Sequence, residues 1–215
     1  RLAIGESKDG VTLHLPIALE AETQHGRFVV EGGYPYEGKV NVRVTPKSDL
    51  PFAVRVRVPG WADDVSFELE GYDEPADYED GYAVFRKSWK EGDVLKIDFG
   101  MDPKWVEANP RVRGNLGRVA LTMGPLVYCA EEKDLGFDPR LLAVDAEIPM
   151  ESQKHAKLPV RAIPVEGIAD EESFPDDLYA EAGTIDVREA AGLFIPYFAW
   201  NNRGKNAMQV WVRRA

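Results

Sequence analysis

Apolar residues recur at every second position through much of this chain, and that period constrains its fold more than any other feature. Val11, Leu13, Leu15 and Ile17 alternate with Thr12, His14 and Pro16. Val40, Val42 and Val44 alternate with Asn41 and Arg43, and Val54, Val56 and Val58 with Arg55 and Arg57. Val65, Phe67 and Leu69 repeat the pattern, and 94–99 and 208–212 follow it less cleanly. Successive side chains of an extended chain point to opposite faces, so each run has one apolar and one wet face. Helical stripes are scarce, and the two short candidates are 103–108 and 173–182. The 19 glycines and 15 prolines fall mostly between the alternating runs, where turns need them. Many short antiparallel strands separated by turn signals predict an all-β chain of β-sandwich or jelly-roll type.

A chain of 215 residues holds one to two domains. The best boundary lies within 102–116, where Asp102-Pro103-Lys104 closes one set of strands and 109–115 leads into another. The expected architecture is two consecutive antiparallel β-sandwich domains, jelly-roll-like, over 1–105 and 106–215. The segment 166–186 carries eight acidic residues and no basic one, and reads as a long surface loop.

The net charge of −11 repels phosphate backbones and argues against nucleic acid as a partner. No apolar run approaches the ~18 residues of a membrane-spanning helix, so no membrane partner is expected. The chain starts at Arg1 with neither an initiator methionine nor an apolar secretory segment, which reads as a piece of something longer. Its compartment, cytoplasmic or exported, would be set by what precedes it.

Catalytic chemistry finds little support. Cys129 is the only cysteine, so an internal disulfide and a multi-cysteine zinc site are both excluded. It lies in an apolar strand-like run followed by Glu131 and Glu132, with no cation nearby to stabilise a thiolate, and reads as buried and inert. There is no Gly-x-Ser-x-Gly elbow and no phosphate-binding glycine motif. His14 sits on an alternating strand, His25 before a glycine and His155 in a polar loop. The acidic segment lacks the Asp-x-Asp-x-Asp-Gly spacing of a calcium loop and reads as solvated. Tyr34, Tyr36, Trp61, Trp89, Trp105, Trp200 and Trp211 offer platforms for sugar rings, but large aromatics at strand ends and within strands more often plug a core or a seam. No catalytic, cofactor-binding or metal-binding residue is assigned, and substrate-binding residues are left unknown.

Five motifs in order give the chain a relative. Tyr34-Pro35-Tyr36-Glu37-Gly38, the strand from Phe52 to Ala62 with Val58-Pro59-Gly60-Trp61, and Gly81-Tyr82 through Trp89 to Gly92-Asp93 come first. The strand pair around Gly124-Pro125-Leu126-Val127-Tyr128-Cys129 follows, then Ile195-Pro196-Tyr197-Phe198-Ala199-Trp200-Asn201-Asn202-Arg203-Gly204 with Met208-Gln209-Val210-Trp211. Together they resemble the C-terminal β-sandwich region of glycoside hydrolase family 127, the β-L-arabinofuranosidases and their relatives.

The resemblance implies a large (α/α)6 barrel elsewhere, holding a nucleophilic cysteine in a zinc site of three cysteines and a glutamate. It implies that this chain is a non-catalytic accessory region that packs on that barrel, with no cofactor of its own and zinc belonging to the barrel. The chain itself would then be inactive and its parent a retaining hydrolase. An independent module that binds arabinose-containing plant glycans is the alternative. Within that resemblance Pro59-Gly60 ends a strand so that Trp61 folds back over the sheet, and Gly124-Pro125 turns the chain between two apolar strands. Segment 200–204 reads as a turn that leaves Arg203 to pair with a carboxylate, or to line a sugar cleft with Trp200.

Overall fold

The computed structural model describes residues 3–171, 179, 181 and 183–215. The chain divides into two compact units, Arg1–Met101 and Asp102–Ala215, a division just ahead of the expected one.

The first unit contains β1 (Ile4–Ser7), β2 (Gly10–Leu13), β3 (Leu19–Glu22), β4 (Gly26–Gly32) and β5 (Lys39–Pro46). It continues through β6 (Phe52–Arg57), β7 (Ser66–Leu69), β8 (Asp77–Glu79), β9 (Tyr82–Lys87) and β10 (Asp93–Asp98). They form two five-stranded sheets, in the orders β1-β2-β6-β9-β8 and β3-β4-β5-β10-β7. The alternation explains why they meet. Val11, Leu13, Val54, Val56 and Phe85 of one sheet share a single buried cluster with Phe28, Val40, Val42, Val44 and Leu95 of the other. Two sheets that hide their apolar faces against each other make a sandwich.

One pair in this sandwich, β2 with β6, runs parallel. It brings Gly10 so close to Ala53 that a Cβ on Gly10 would stand 2.1 Å from the Ala53 carbonyl oxygen, so only glycine fits. The expected strand 11–17 stops at Leu13, and Leu15 and Ile17 are exposed. Proline at 16 has no N–H to extend the ladder.

The second unit departs from expectation. It contains β11 (Pro103–Glu107), β12 (Arg118–Met123), β13 (Leu126–Glu131), the single-turn helix α1 (Glu132–Leu135) and β14 (Leu142–Val144). Then come β15 (Gln153–Lys154), β16 (Arg161–Asp170), β17 (Val187–Pro196), β18 (Met208–Gln209) and β19 (Trp211–Arg214). The pairings β12-β19-β14-β16-β17-β13 return to β12, closing a six-stranded ring. This is a small barrel rather than a second sandwich. Its closure depends on a parallel pairing of β14 with β19 that no local pattern announces.

Two further expectations fail here. Segment 103–108 is not helical: Pro103–Glu107 pairs antiparallel with β12. Segment 166–186 is not all loop, because Glu166 through Asp170 continue β16 in register with β17. The helical candidate 173–182 lies largely outside the described residues, as does much of the acidic segment. Among the described residues no helix is long and apolar enough to cross a membrane.

Candidate functional site

From Tyr128 onward both faces of β13 are buried. Tyr128 and Ala130 are buried with one parity, while Cys129 and Glu131 are buried with the other. Cys129 faces Ile195 across the ladder and shares a cluster with Ala162, Ile195 and Ala199. Burial pushes its thiol up to about 12, and the Glu131 and Asp134 charges add to the effect against a weaker pull from Arg203. The expectation of an inert cysteine fits these surroundings, since a thiolate is the reactive form and everything close by except Arg203 opposes it.

Two residues further on, Glu131 is 0% exposed. A buried carboxylate is tolerated only when paired and hydrogen-bonded. Here the Asn201 backbone N–H and the Asn206 Nδ2 each donate to Oε1 at 3.0 Å, and Arg203 Nη2 donates to Oε2. Burial raises the Glu131 carboxyl, but these hydrogen bonds and the guanidinium charge outweigh it and hold the group below its ordinary value.

The helical turn α1 aims Asp134 at the same arginine. Arg203 Nη1 donates to Asp134 Oδ1 at 2.6 Å and Nη2 donates to Oδ2, a bidentate fork. Asp134 first, then Glu131, hold the guanidinium in its charged form against burial. Lys133 Nζ donates to the adjacent carbonyls of Arg203 and Gly204 and so holds the backbone of the turn as well as its side chain.

His155 completes the cluster. Its Nδ1 accepts from the backbone N–H of Lys157 and of Leu158, each at 3.0 Å, so Nδ1 carries no proton. Nε2 lies 3.3 Å from Arg203 Nη1 and 3.5 Å from Asp134 Oδ1. His155 lies in a loop, as the sequence implied, and is buried there against the cluster.

Elsewhere the histidines serve the first unit. His14 Nδ1 lies 2.8 Å from the Tyr82 hydroxyl. His25 Nε2 lies 2.8 Å from the Ser7 carbonyl and its ring stacks on Phe52.

The aromatics separate into two groups. Trp89 is buried and donates from Nε1 to the Phe52 carbonyl at 3.1 Å. Trp61 and Tyr34 pack partly buried against the same core, stacked at 6.4 Å between centroids. Trp105 and Trp211 are half-buried in the second unit. Trp105 sits edge-on to Phe194 and walls a cleft of about 450 Å³ that also exposes Asp145, Glu151 and Glu166. Tyr197 and Trp200 are 47% and 39% exposed and stacked on each other at 6.1 Å, and Tyr36 of the first unit is exposed as well.

Cys129 is a lone thiol, and the oxygens of Glu131 and Asp134 close on a guanidinium that already supplies the cation. Among the described residues no group of three metal-type ligands stands together. The cluster fastens the turn that carries Asn201 and Arg203 to β13 and α1. Sequence reasoning found Arg203 and a carboxylate partner but missed Asp134, His155 and Asn206, because their meeting depends on the pairing of β13 with β17 and β18.

Comparison with known proteins assigns first a class. Residues 10–101 match the middle domain and 103–213 the C-terminal domain of β-L-arabinofuranosidase-type glycoside hydrolases. The chain belongs to glycoside hydrolase family 127. It is 34% identical over 221 residues to a non-reducing end β-L-arabinofuranosidase of Bifidobacterium longum, covering 95% of this chain and 33% of that protein. A crystal structure of a family 127 β-L-arabinofuranosidase from Geobacillus stearothermophilus superposes with a TM-score of 0.90 at 30% identity, over 99% of this chain and 35% of the other. A second solved family 127 β-arabinofuranosidase gives a TM-score of 0.81 at 27% identity, over 96% and 35% of the two chains. The chain thus spans about a third of the length of the relatives it matches.

Proposed function

We propose that this chain is the non-catalytic accessory portion of a β-L-arabinofuranosidase-like glycoside hydrolase. It packs on a catalytic (α/α)6 barrel formed by another part of the same protein and stabilises it. The substrate class is a terminal β-L-arabinofuranosyl or related linkage, cleaved with retention by the barrel. Zinc and the nucleophilic cysteine belong to the barrel as well.

The observation that carries this reading is the state of the one thiol. A family whose chemistry runs through cysteine ligands and a cysteine nucleophile finds here a single buried cysteine, with its ionisation pushed up to about 12. At neutral pH such a thiol is overwhelmingly protonated, and only the thiolate attacks or ligates.

The purified chain is expected to release no arabinose from β-L-arabinofuranosides, with or without added zinc, as measured by reducing-sugar or chromogenic assay. In the longer protein, Cys129→Ala is expected to leave hydrolysis at its original rate. Zinc-dependent turnover by the chain alone, or a collapse of kcat in a folded Cys129→Ala protein, overturns the proposal.

A further inference from the structure

The exposed stack of Tyr197 and Trp200 has a construction that needs a reason. It stands on the short 3-10 turn Tyr197–Ala199, whose inward residue Ala199 is buried against Cys129 and Ile195. The Trp200 N–H returns to the Tyr197 carbonyl at 3.1 Å. Asn201 follows with φ of 65°, a left-handed conformation that asparagine tolerates better than most L residues. Its N–H is held by buried Glu131, and the next residues are fixed by the Arg203 fork to Asp134. β13 adds to the same place: Tyr128 faces Pro196 across the ladder, which sets exposed Val127 beside the Tyr197 position.

Buried ion pairs seldom stabilise a fold more than apolar packing would, and their best-attested benefit is that they fix one arrangement. The arrangement fixed here is the outward aim of two large rings and a valine. Rigid aromatic anchors on an apolar patch are the usual core of an interface between folded surfaces.

We infer that the Tyr197–Trp200 face, with Val127, is the surface on which the catalytic domain docks. The occupant follows from what the relatives contain. Their matched parts are a middle and a C-terminal domain, and about two thirds of the length of each relative lies outside the match. A domain must precede one that is called middle, and it needs an apolar seam against its followers. The inference rests on the accessory reading above, and it adds the location of the seam.

Hydroxyl-radical footprinting of the protein carrying its natural upstream sequence tests it, with Tyr78 as the internal reference because that ring is 61% exposed in the first unit. Tyr197 and Trp200 are expected to react about tenfold more slowly than Tyr78, as side chains in the dry core of an interface do. The double variant Tyr197→Ser with Trp200→Ser is expected to lower the unfolding temperature of the whole protein, while Tyr78→Ser leaves it unchanged.

If Tyr197 and Trp200 react at the rate of Tyr78 while Leu15, Leu50 or Val112 is protected, the seam lies elsewhere and this inference falls with the accessory reading intact. If none of these exposed residues is protected, nothing docks on the chain and the accessory reading falls too. Protection of Trp200 that appears only when arabinan oligosaccharide is added makes the face a sugar platform and overturns the inference.

Discussion

The core of the first unit and the Arg203 cluster of the second place rings and charges in opposite ways. In the first, Phe28, Phe85 and Trp89 are buried between the sheets. Around that core Arg55 meets Asp9 at 2.6 Å and Arg86 meets Glu79 at 3.0 Å with exposed carboxylates, and Lys87 pairs with a half-buried Asp93 at 3.0 Å. In the second, Glu131, Asp134 and Arg203 are inside while Tyr197 and Trp200 face out. A sandwich needs only that each strand hide one face, and alternation delivers that. The outer face of β13 is covered instead by irregular chain, which has no ladder to hold it. Directional hydrogen bonds to a fixed charge can hold it, and apolar contacts alone would let it slide.

Breaking the buried pair should cost most. Arg203→Ala leaves Glu131 and Asp134 facing each other without a cation, and is expected to destabilise the second unit by about 3–5 kcal/mol. Urea or thermal unfolding followed by the second unit's signals checks this, and a loss under 1 kcal/mol would mean that water reaches the carboxylates.

Acid should act on the same cluster next. Glu131 and Asp134 both have carboxyls held below their ordinary values of 4.5 and 3.8, by hydrogen bonds and the Arg203 charge that outweigh burial. The unfolded chain therefore takes up protons before the folded one. The stabilisation is complete above about pH 4.5 and is lost as pH falls through and below that range. The second unit is expected to unfold first on acidification, and Glu131→Gln should reduce the steepness of its acid transition. Simultaneous loss of both units would remove the contrast.

The smallest effect is expected on the open network of the first unit. Arg55→Ala breaks contacts to Asp9 and Glu79, both well exposed, and should cost no more than about 1 kcal/mol. A fall comparable with that of Arg203→Ala would show that exposure does not separate the two networks.

Much of the first unit was legible in the sequence, because β5 and β6 bury the valines that alternation marks: Val40, Val42 and Val44 on one, Val54 and Val56 on the other. The turn at Gly124-Pro125 was legible too, with Gly124 at φ of 57° between β12 and β13. What escaped depended on distant partners. Segment 103–107 is a strand because β12 offers it an edge, although its proline start and short length suit a helix equally. Glu166 to Asp170 reads as loop by charge, yet Gly167 lies so near β14 that a Cβ would meet the Ala143 carbonyl oxygen at 2.2 Å. Ring closure, and the gathering of Asp134, His155 and Asn206 on Arg203, arise from pairings far apart in sequence. The partner surface was less visible still, since an exposed tryptophan and a buried one are the same letter.

The parallel seam between β14 and β19 also sets an order of events during synthesis. β19 lies between β12 and β14 in the ring and follows the other five ring strands in sequence. Until Arg214 has cleared the ribosome, β12 and β14 each present a bare edge to whatever is nearby. The first unit can finish folding while the second is still emerging, but the ring of the second stays open and prone to mispairing until β19 arrives. Ribosome-bound chains stalled short of residue 211 should therefore be the ones that chaperones and other nascent strands find.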